Sequence, residues 1–125
     1  MQIFLTKWFA RWAAKEGLPE QALCAAVAEM EQGLIDAHLG GYVVKKRVAV
    51  GGRGKSGGLR TILGFKLKDK AFFLYGFAKN QQGNIDDKEL QALKLMASEL
   101  MKYDRKALDQ AIRAQELIEV NNEQT

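Results

Sequence analysis

The sequence holds one cysteine, one histidine and one proline in 125 residues, and these shortages exclude several classes of protein. With Cys24 alone, the chain has no internal disulfide framework and no multi-cysteine zinc site. With His38 alone, it has little means of building a histidine-rich metal site or a Ser-His-Asp or Cys-His catalytic arrangement. We therefore expect no metal and no other cofactor, and no chemical role for Cys24 or His38.

Long hydrophobic runs are also missing. The longest, Ala71–Ala78, has eight residues, whereas a membrane helix needs about 20. The first residues lack the basic start and long apolar segment of a secretory signal, so we expect a cytoplasmic protein without a membrane partner. At 47% apolar and 27% charged residues, the composition suits a single domain. We place that domain at residues 1–120 and expect the tail, 121–125, to fray.

Acidic residues are absent between Asp36 and Asp69, although the whole chain carries a net charge of only +4. This window contains eight basic residues, so the rest of the chain, with 11 basic and 15 acidic residues, is mildly acidic. The basic residues of the window are Lys45, Lys46, Arg47, Arg53, Lys55, Arg60, Lys66 and Lys68.

Apolar residues recur at helical spacing in the first third of the chain. Thr6 is a suitable N-cap for a first helix that ends near Gly17, and Pro19 suits the start of a second. The spacing predicts that Leu5, Trp8, Phe9 and Trp12 form one buried face of the first helix. The short connection predicts that the two helices are antiparallel neighbours.

The period then changes to two, which is typical of β-strands. Three strands joined by short links, 42–50, 59–67 and 71–78, predict an antiparallel meander, and residues 2–5 are a candidate edge strand. Asp86 and Glu89 form a capping-box pattern that begins a third helix, and a fourth covers about 104–115. Residues 117–120 can be extended. The predicted fold is α+β: two N-terminal helices, a three- to four-stranded antiparallel sheet, and C-terminal helices packed on it.

A glycine-rich basic loop, 51–58, joins the first two strands of the meander. Its Gly54-Lys55-Ser56 resembles the end of a phosphate-binding P-loop, but that motif requires a helix directly after the serine. Here two glycines and a β-patterned run follow, so we reject a nucleotide triphosphatase.

Nucleic-acid binding explains the basic window better, because lysine and arginine dominate contacts to phosphate. Tyr42 and Tyr75 offer aromatic surface for stacking on unpaired bases, although Tyr75 alternates with Phe73 and Phe77 and can equally belong to the core. A solubilising surface usually mixes charges of both signs, which this window does not.

Several segments, in this order and spacing, resemble small RelE-like toxins of type II toxin–antitoxin systems, in the HigB-like branch. The segments are Thr6–Trp12, Lys45–Arg47, Arg53–Thr61, Phe72–Asn80 and Asp87–Leu90. The resemblance implies a compact α+β endoribonuclease that cleaves mRNA, often on the ribosome. It also implies no metal, and a cognate antitoxin of helix-turn-helix type.

Metal-free RNA cleavage requires a group that accepts the 2′-OH proton and a cation that stabilises the phosphorane. Arginine suits the second role because its planar guanidinium binds phosphate oxygens in pairs. From the resemblance we expect Arg60, Lys79 and Lys46 in the reaction. We expect RNA contacts from Lys45, Arg47, Arg53, Lys55 and Tyr75.

Three questions stay open at the level of sequence. Strand register decides whether Lys46 or Lys45 faces the substrate. Some relatives carry histidines in the site, and this chain has no counterpart of those histidines. Tyr75 and Tyr103 are both candidates for the acid that protonates the leaving oxygen. The alternatives to a nuclease are a non-catalytic nucleic-acid-binding protein and a module that binds an acidic protein partner.

Overall fold

The computed structural model describes residues 1–50, 58–79 and 82–121, which form an α+β fold of ten elements. The elements are β1 (Gln2–Thr6), α1 (Lys7–Lys15), α2 (Glu20–Glu31), β2 (Ala37–Gly40), β3 (Val43–Val48), β4 (Leu59–Lys66), β5 (Lys70–Ala78), α3 (Asp87–Met101), α4 (Arg105–Arg113) and β6 (Leu117–Val120). The α+β class and the β3–β4–β5 antiparallel meander are confirmed.

The sheet is larger than the sequence predicts, with six described strands in the order β2-β3-β4-β5-β1-β6. The segment predicted as an edge strand is β1, which lies inside the sheet, parallel to β5 and antiparallel to β6. The edge prediction is therefore wrong. Ile3, Phe4 and Leu5 are all buried, so β1 reads as an apolar run of the kind that a strand covered on both faces requires.

Helices cover the two faces of this sheet in pairs. One face packs against α1 and α2 and carries Val44, Leu63 and Phe73; we call it the α1–α2 face. The other packs against α3 and α4 and carries Val43 and Ile62; we call it the α3–α4 face. Because side chains alternate along a strand, neighbouring residues of β3 belong to different cores.

The helix starts follow the sequence signals. The Thr6 side chain accepts a hydrogen bond from the Phe9 backbone at the start of α1, and Asp86 and Glu89 form a complete capping box at the start of α3. The predicted buried face of α1 is wrong at two positions. Trp8 is 48% exposed while Phe9 is fully buried, and Leu5 is buried but belongs to β1. Trp8 faces the side of β5 and α3 rather than the core beneath α1.

No helix among the described residues has the length and apolarity that crossing a membrane requires. Part of the predicted frayed tail, residues 122–125, lies outside the described residues, as does most of the glycine-rich loop, 51–57.

Candidate nucleic-acid interface

Three cations of the basic window share the α3–α4 face of the sheet. Lys45 and Arg47 alternate with Val44 and therefore point to the face opposite it. Arg60 lies directly across from Arg47 in the β3–β4 pairing, so the two guanidinium groups belong to one face. The sheet thus brings together residues that are 13 to 15 positions apart in the sequence.

Arg60 is the buried member of this cluster, with 9% of its surface exposed. Its Nη1 donates a hydrogen bond to the Gly58 carbonyl over 2.9 Å. Within 1–50, 58–79 and 82–121, no carboxylate forms an ion pair with it. Like charges directly opposite each other in a sheet destabilise it, and a carbonyl dipole neutralises no charge. The Arg47–Arg60 pair therefore leaves a positive potential that an anion can neutralise.

Arg47 is partly neutralised from the side of β2. Its Nε lies 3.1 Å from Asp36 Oδ1, and its backbone N–H donates to Asp36 Oδ2 over 2.7 Å. Partial burial raises the pKa of the Asp36 carboxyl, but the hydrogen bonds from Arg47 and the charges of Arg47 and Lys46 outweigh it and hold that pKa below its usual value. Arg47 is 44% exposed, so its guanidinium remains open to a further anion.

Lys46 lies apart from this cluster, on the α1–α2 face. Its side chain is 4% exposed; its Nζ is 2.7 Å from Glu29 Oε1 of α2 and donates to the Leu34 carbonyl over 2.8 Å. The sequence left Lys45 and Lys46 as alternatives for the reaction. The structure puts Lys45 on the face of Arg60 and puts Lys46 under α2, where it joins helix to sheet.

Lys79 follows β5 directly and is exposed. Ala78 pairs with Leu59, so Lys79 lies at the end of the sheet where β4 begins, near Arg60. The remaining predicted cations, Arg53 and Lys55, lie outside the described residues. Arg60, Lys45, Arg47 and Lys79 therefore share one face or its adjoining end, and Lys46 does not.

Tyr75 lies on the α3–α4 face together with Phe77. The sequence pattern predicts that Phe73 shares this face with them, and it does not. The β4–β5 register skips Leu74, and this β-bulge turns Tyr75 to the same side as Phe77 while Phe73 faces α1. A single extra residue in an apolar run leaves no signal in the sequence pattern, so this reversal was not predictable.

The Tyr75 hydroxyl joins a polar cluster at the start of α3 that the sequence analysis missed. It lies 3.0 Å from Gln82 Oε1 and 3.3 Å from Glu89 Oε2, and it can donate its proton to either. Burial, followed by the charge of Glu89, raises the pKa of the phenol, so the hydroxyl stays protonated. Asp86 and Glu89 gave a capping signal only, because the contact to Tyr75 depends on how α3 packs.

The cationic cluster of Arg60, Arg47, Lys45 and Lys79 can bind and polarise a phosphate. A buried guanidinium with a second guanidinium opposite it supplies paired N–H donors, and two lysines extend the positive surface. The described residues contain no group of three or more histidine, cysteine, aspartate or glutamate side chains placed to hold a metal ion. The donors present thus favour anions over cations.

Comparison with known proteins places the chain at the level of a family. A family model described as the RelE toxin of the RelE/RelB toxin–antitoxin system matches residues 1–120. No curated protein matches the chain significantly.

Proposed function

The chain belongs to the RelE toxin family, and from this premise we propose that it is a metal-independent endoribonuclease that cleaves mRNA and thereby inhibits translation. Toxins of this family are generally mRNA-cleaving enzymes. The observation that carries the proposal is Arg60, nine-tenths buried, opposite Arg47 and without a carboxylate partner among the described residues. Burying a charge without a counter-charge is costly, which favours a phosphate as the missing partner.

In the proposed reaction, the ribose 2′-oxygen attacks the adjacent phosphorus. The products are a 2′,3′-cyclic phosphate and a free 5′-OH. The guanidinium of Arg60 stabilises the charge that develops on the phosphorane oxygens. Lys79, at the adjoining end of the sheet, is the residue that we propose accepts the 2′-OH proton, as the uncharged amine, while water supplies the proton that the departing 5′-oxygen takes up.

The remaining cations hold the neighbouring phosphates. We assign this role to Lys45 and Arg47 on the strand and to Arg53 and Lys55 in the loop that follows it, with Tyr75 supporting the surface beside them. Lys46 leaves the reacting set in this proposal, because Glu29 and Leu34 already engage its ammonium on the opposite face.

Cleavage of RNA by the purified chain tests the proposal. We expect defined cuts in mRNA that persist in EDTA and carry cyclic phosphate ends. Cleavage measured with and without ribosomes decides whether the activity depends on ribosomes. Arg60→Ala should lower the cleavage rate by about 10²- to 10³-fold, the usual effect of losing one transition-state donor. Arg113→Ala, which removes an exposed arginine of α4, is the matched control and should cut like wild type.

Two results would refute the enzyme. RNA binding that is salt-sensitive but produces no cuts would favour the non-catalytic alternative, and affinity for RNA that is insensitive to salt would favour an acidic protein partner. Because Arg60 is buried, Arg60→Lys is measured beside Arg60→Ala, with thermal melting of both. A rate loss without a fall in melting temperature separates chemistry from folding.

Membership in a toxin–antitoxin family also supports the existence of a partner protein that neutralises the toxin. We propose that a cognate antitoxin of helix-turn-helix type covers the cationic face with an acidic segment and so excludes RNA. We further assign the chain to the HigB-like branch and to the cytoplasm, the compartment of its mRNA substrate. Expression of the chain alone should arrest growth, and co-expression of the adjacent open reading frame should restore it; unaffected growth would contradict a toxin.

A further inference from the structure

Trp8 and Met96 form an exposed apolar patch beside the candidate interface. They are 48% and 43% exposed, and both line a cavity of about 310 Å³ between α1, α3 and α4. Large apolar side chains that remain exposed around one concavity mark a binding surface more often than a packing defect.

The Trp8 ring is held in place from below. It stacks on Tyr75 with ring centres 4.8 Å apart and planes 19° apart, and it runs nearly parallel to Trp12 at 6.4 Å. Tyr75 is itself fixed through its hydroxyl by Gln82 and Glu89. A ring that is already oriented loses little conformational entropy when a ligand stacks against it.

The lining of the cavity suits a flat aromatic ligand with polar edges. Its walls are the Trp8 and Tyr103 rings with the apolar side chains of Leu100 and Leu117. Lys7 and Glu116, both exposed, lie on the same lining. A nucleobase matches this set, because its face can stack on Trp8 while its amino or keto groups meet the carboxylate or the ammonium.

Ring contacts connect Trp8 of the cavity wall with the strand that pairs with Arg60. Trp8 contacts Tyr75, Tyr75 lies 6.2 Å from Phe77, and Phe77 pairs directly with Arg60 across β4 and β5. The Trp8 ring therefore contacts the side of the sheet that carries Arg60.

We propose that this cavity binds an unpaired base of the RNA, close to the phosphate at Arg60, and that Trp8 is its stacking surface. The inference rests on the proposed function, since it names a base subsite for the same substrate. It also gives the exposed aromatic a role that neither the buried stripe of α1 nor the reaction explains.

Affinity for short RNAs with single missing bases tests this subsite. The probes are 2′-O-methyl hexaribonucleotides, which lack the nucleophile and are not cut, each with one abasic position, measured by fluorescence anisotropy. At one position, loss of the base should weaken binding by about 5- to 100-fold, the range expected for one stacked base. Trp8→Ala should weaken the intact hexamer equally, and the abasic change should then cost nothing further.

Leu95→Ala is the matched control, since it removes the most exposed large apolar side chain of α3, which does not line this cavity. It should keep the full penalty for the missing base. Trp8→Phe retains a ring and should give an intermediate loss, which separates stacking from misfolding of the alanine variant.

Additive losses in Trp8→Ala, or affinity unchanged by it, would overturn the subsite while binding that depends on Arg60 remains. Failure of the proposed function looks different. The intact hexamer would then not bind, or would bind equally to Arg60→Ala, and both inferences would fall together.

Discussion

The two faces of the sheet differ in how they neutralise a buried cation, as Lys46 of β3 and Arg60 of β4 show. On the α1–α2 face, Lys46 is enclosed and paired with Glu29, so its charge serves the fold. On the α3–α4 face, Arg60 is also buried, yet its described hydrogen bond goes to an uncharged carbonyl. A buried cation whose role is only structural is expected to be paired with a carboxylate, as Lys46 is. The face that leaves one unneutralised is therefore the one to assign to an anionic ligand.

The packing of the two faces is tested by glycines of neighbouring strands. A methyl group added to Gly76 would overlap the Trp12 ring on the α1–α2 face, whereas one added to Gly64 would meet the Ala97 methyl at 3.2 Å on the other. We expect Gly76→Ala to lower the free energy of unfolding by about 2–3 kcal/mol through overpacking. Gly64→Ala is the control and should lower it by less than about 1 kcal/mol. Urea unfolding measures both, and equal losses would contradict the closer packing assigned to α1.

The neighbouring lysines provide the sharpest test of the contrast itself. Lys46→Met removes one partner of Glu29 and the donor to Leu34, and should lower the free energy of unfolding by about 2 kcal/mol. Lys45→Met should change it by less than about 1 kcal/mol, but should reduce the slope of RNA affinity against salt by about one counterion.

Both variants are compared by urea unfolding and by RNA titration at several salt concentrations, at a temperature where both are folded. If Lys46→Met weakened RNA binding more than Lys45→Met did, the assignment of the two faces would be reversed. That result would return Lys46 to the reacting set.

Alternation along β3 was readable from the sequence, so it was clear that Lys45 and Lys46 point to opposite faces. Which of them meets solvent was not readable, because that depends on α2 bringing Glu29 over the sheet. The meander and the helix caps were predictable since they rest on local spacing and short links. The internal position of β1 was not, because its pairing with β5 joins residues almost 70 positions apart.

Tyr75 tests whether the polar cluster on the α3–α4 face supports the fold or binds RNA. Tyr75→Phe keeps the ring stacked on Trp8 and removes only the hydroxyl that contacts Gln82 and Glu89. We expect a loss of about 1 kcal/mol in the free energy of unfolding, the usual value of one hydrogen bond, with RNA affinity unchanged. Thermal unfolding and RNA titration give the two quantities, and a large loss of affinity without a loss of stability would make the hydroxyl a direct RNA contact.

The smallest expected effect concerns Asp36, the carboxylate that contacts Arg47. Its folded pKa lies below its unfolded value, so its contacts with Arg47 contribute stability above the unfolded pKa, and this contribution is lost as the pH falls through the folded pKa.

Asp36→Asn should lower the free energy of unfolding by about 0.5–1 kcal/mol at pH 7 and should have no effect at acid pH, where the wild-type carboxyl is protonated. Urea unfolding between pH 2 and 7 measures this difference. A penalty for Asp36→Asn that stays constant over this range would show that Arg47 does not depend on the charge of Asp36, and the Arg47–Arg60 pair would then carry more uncompensated charge than we assign to it.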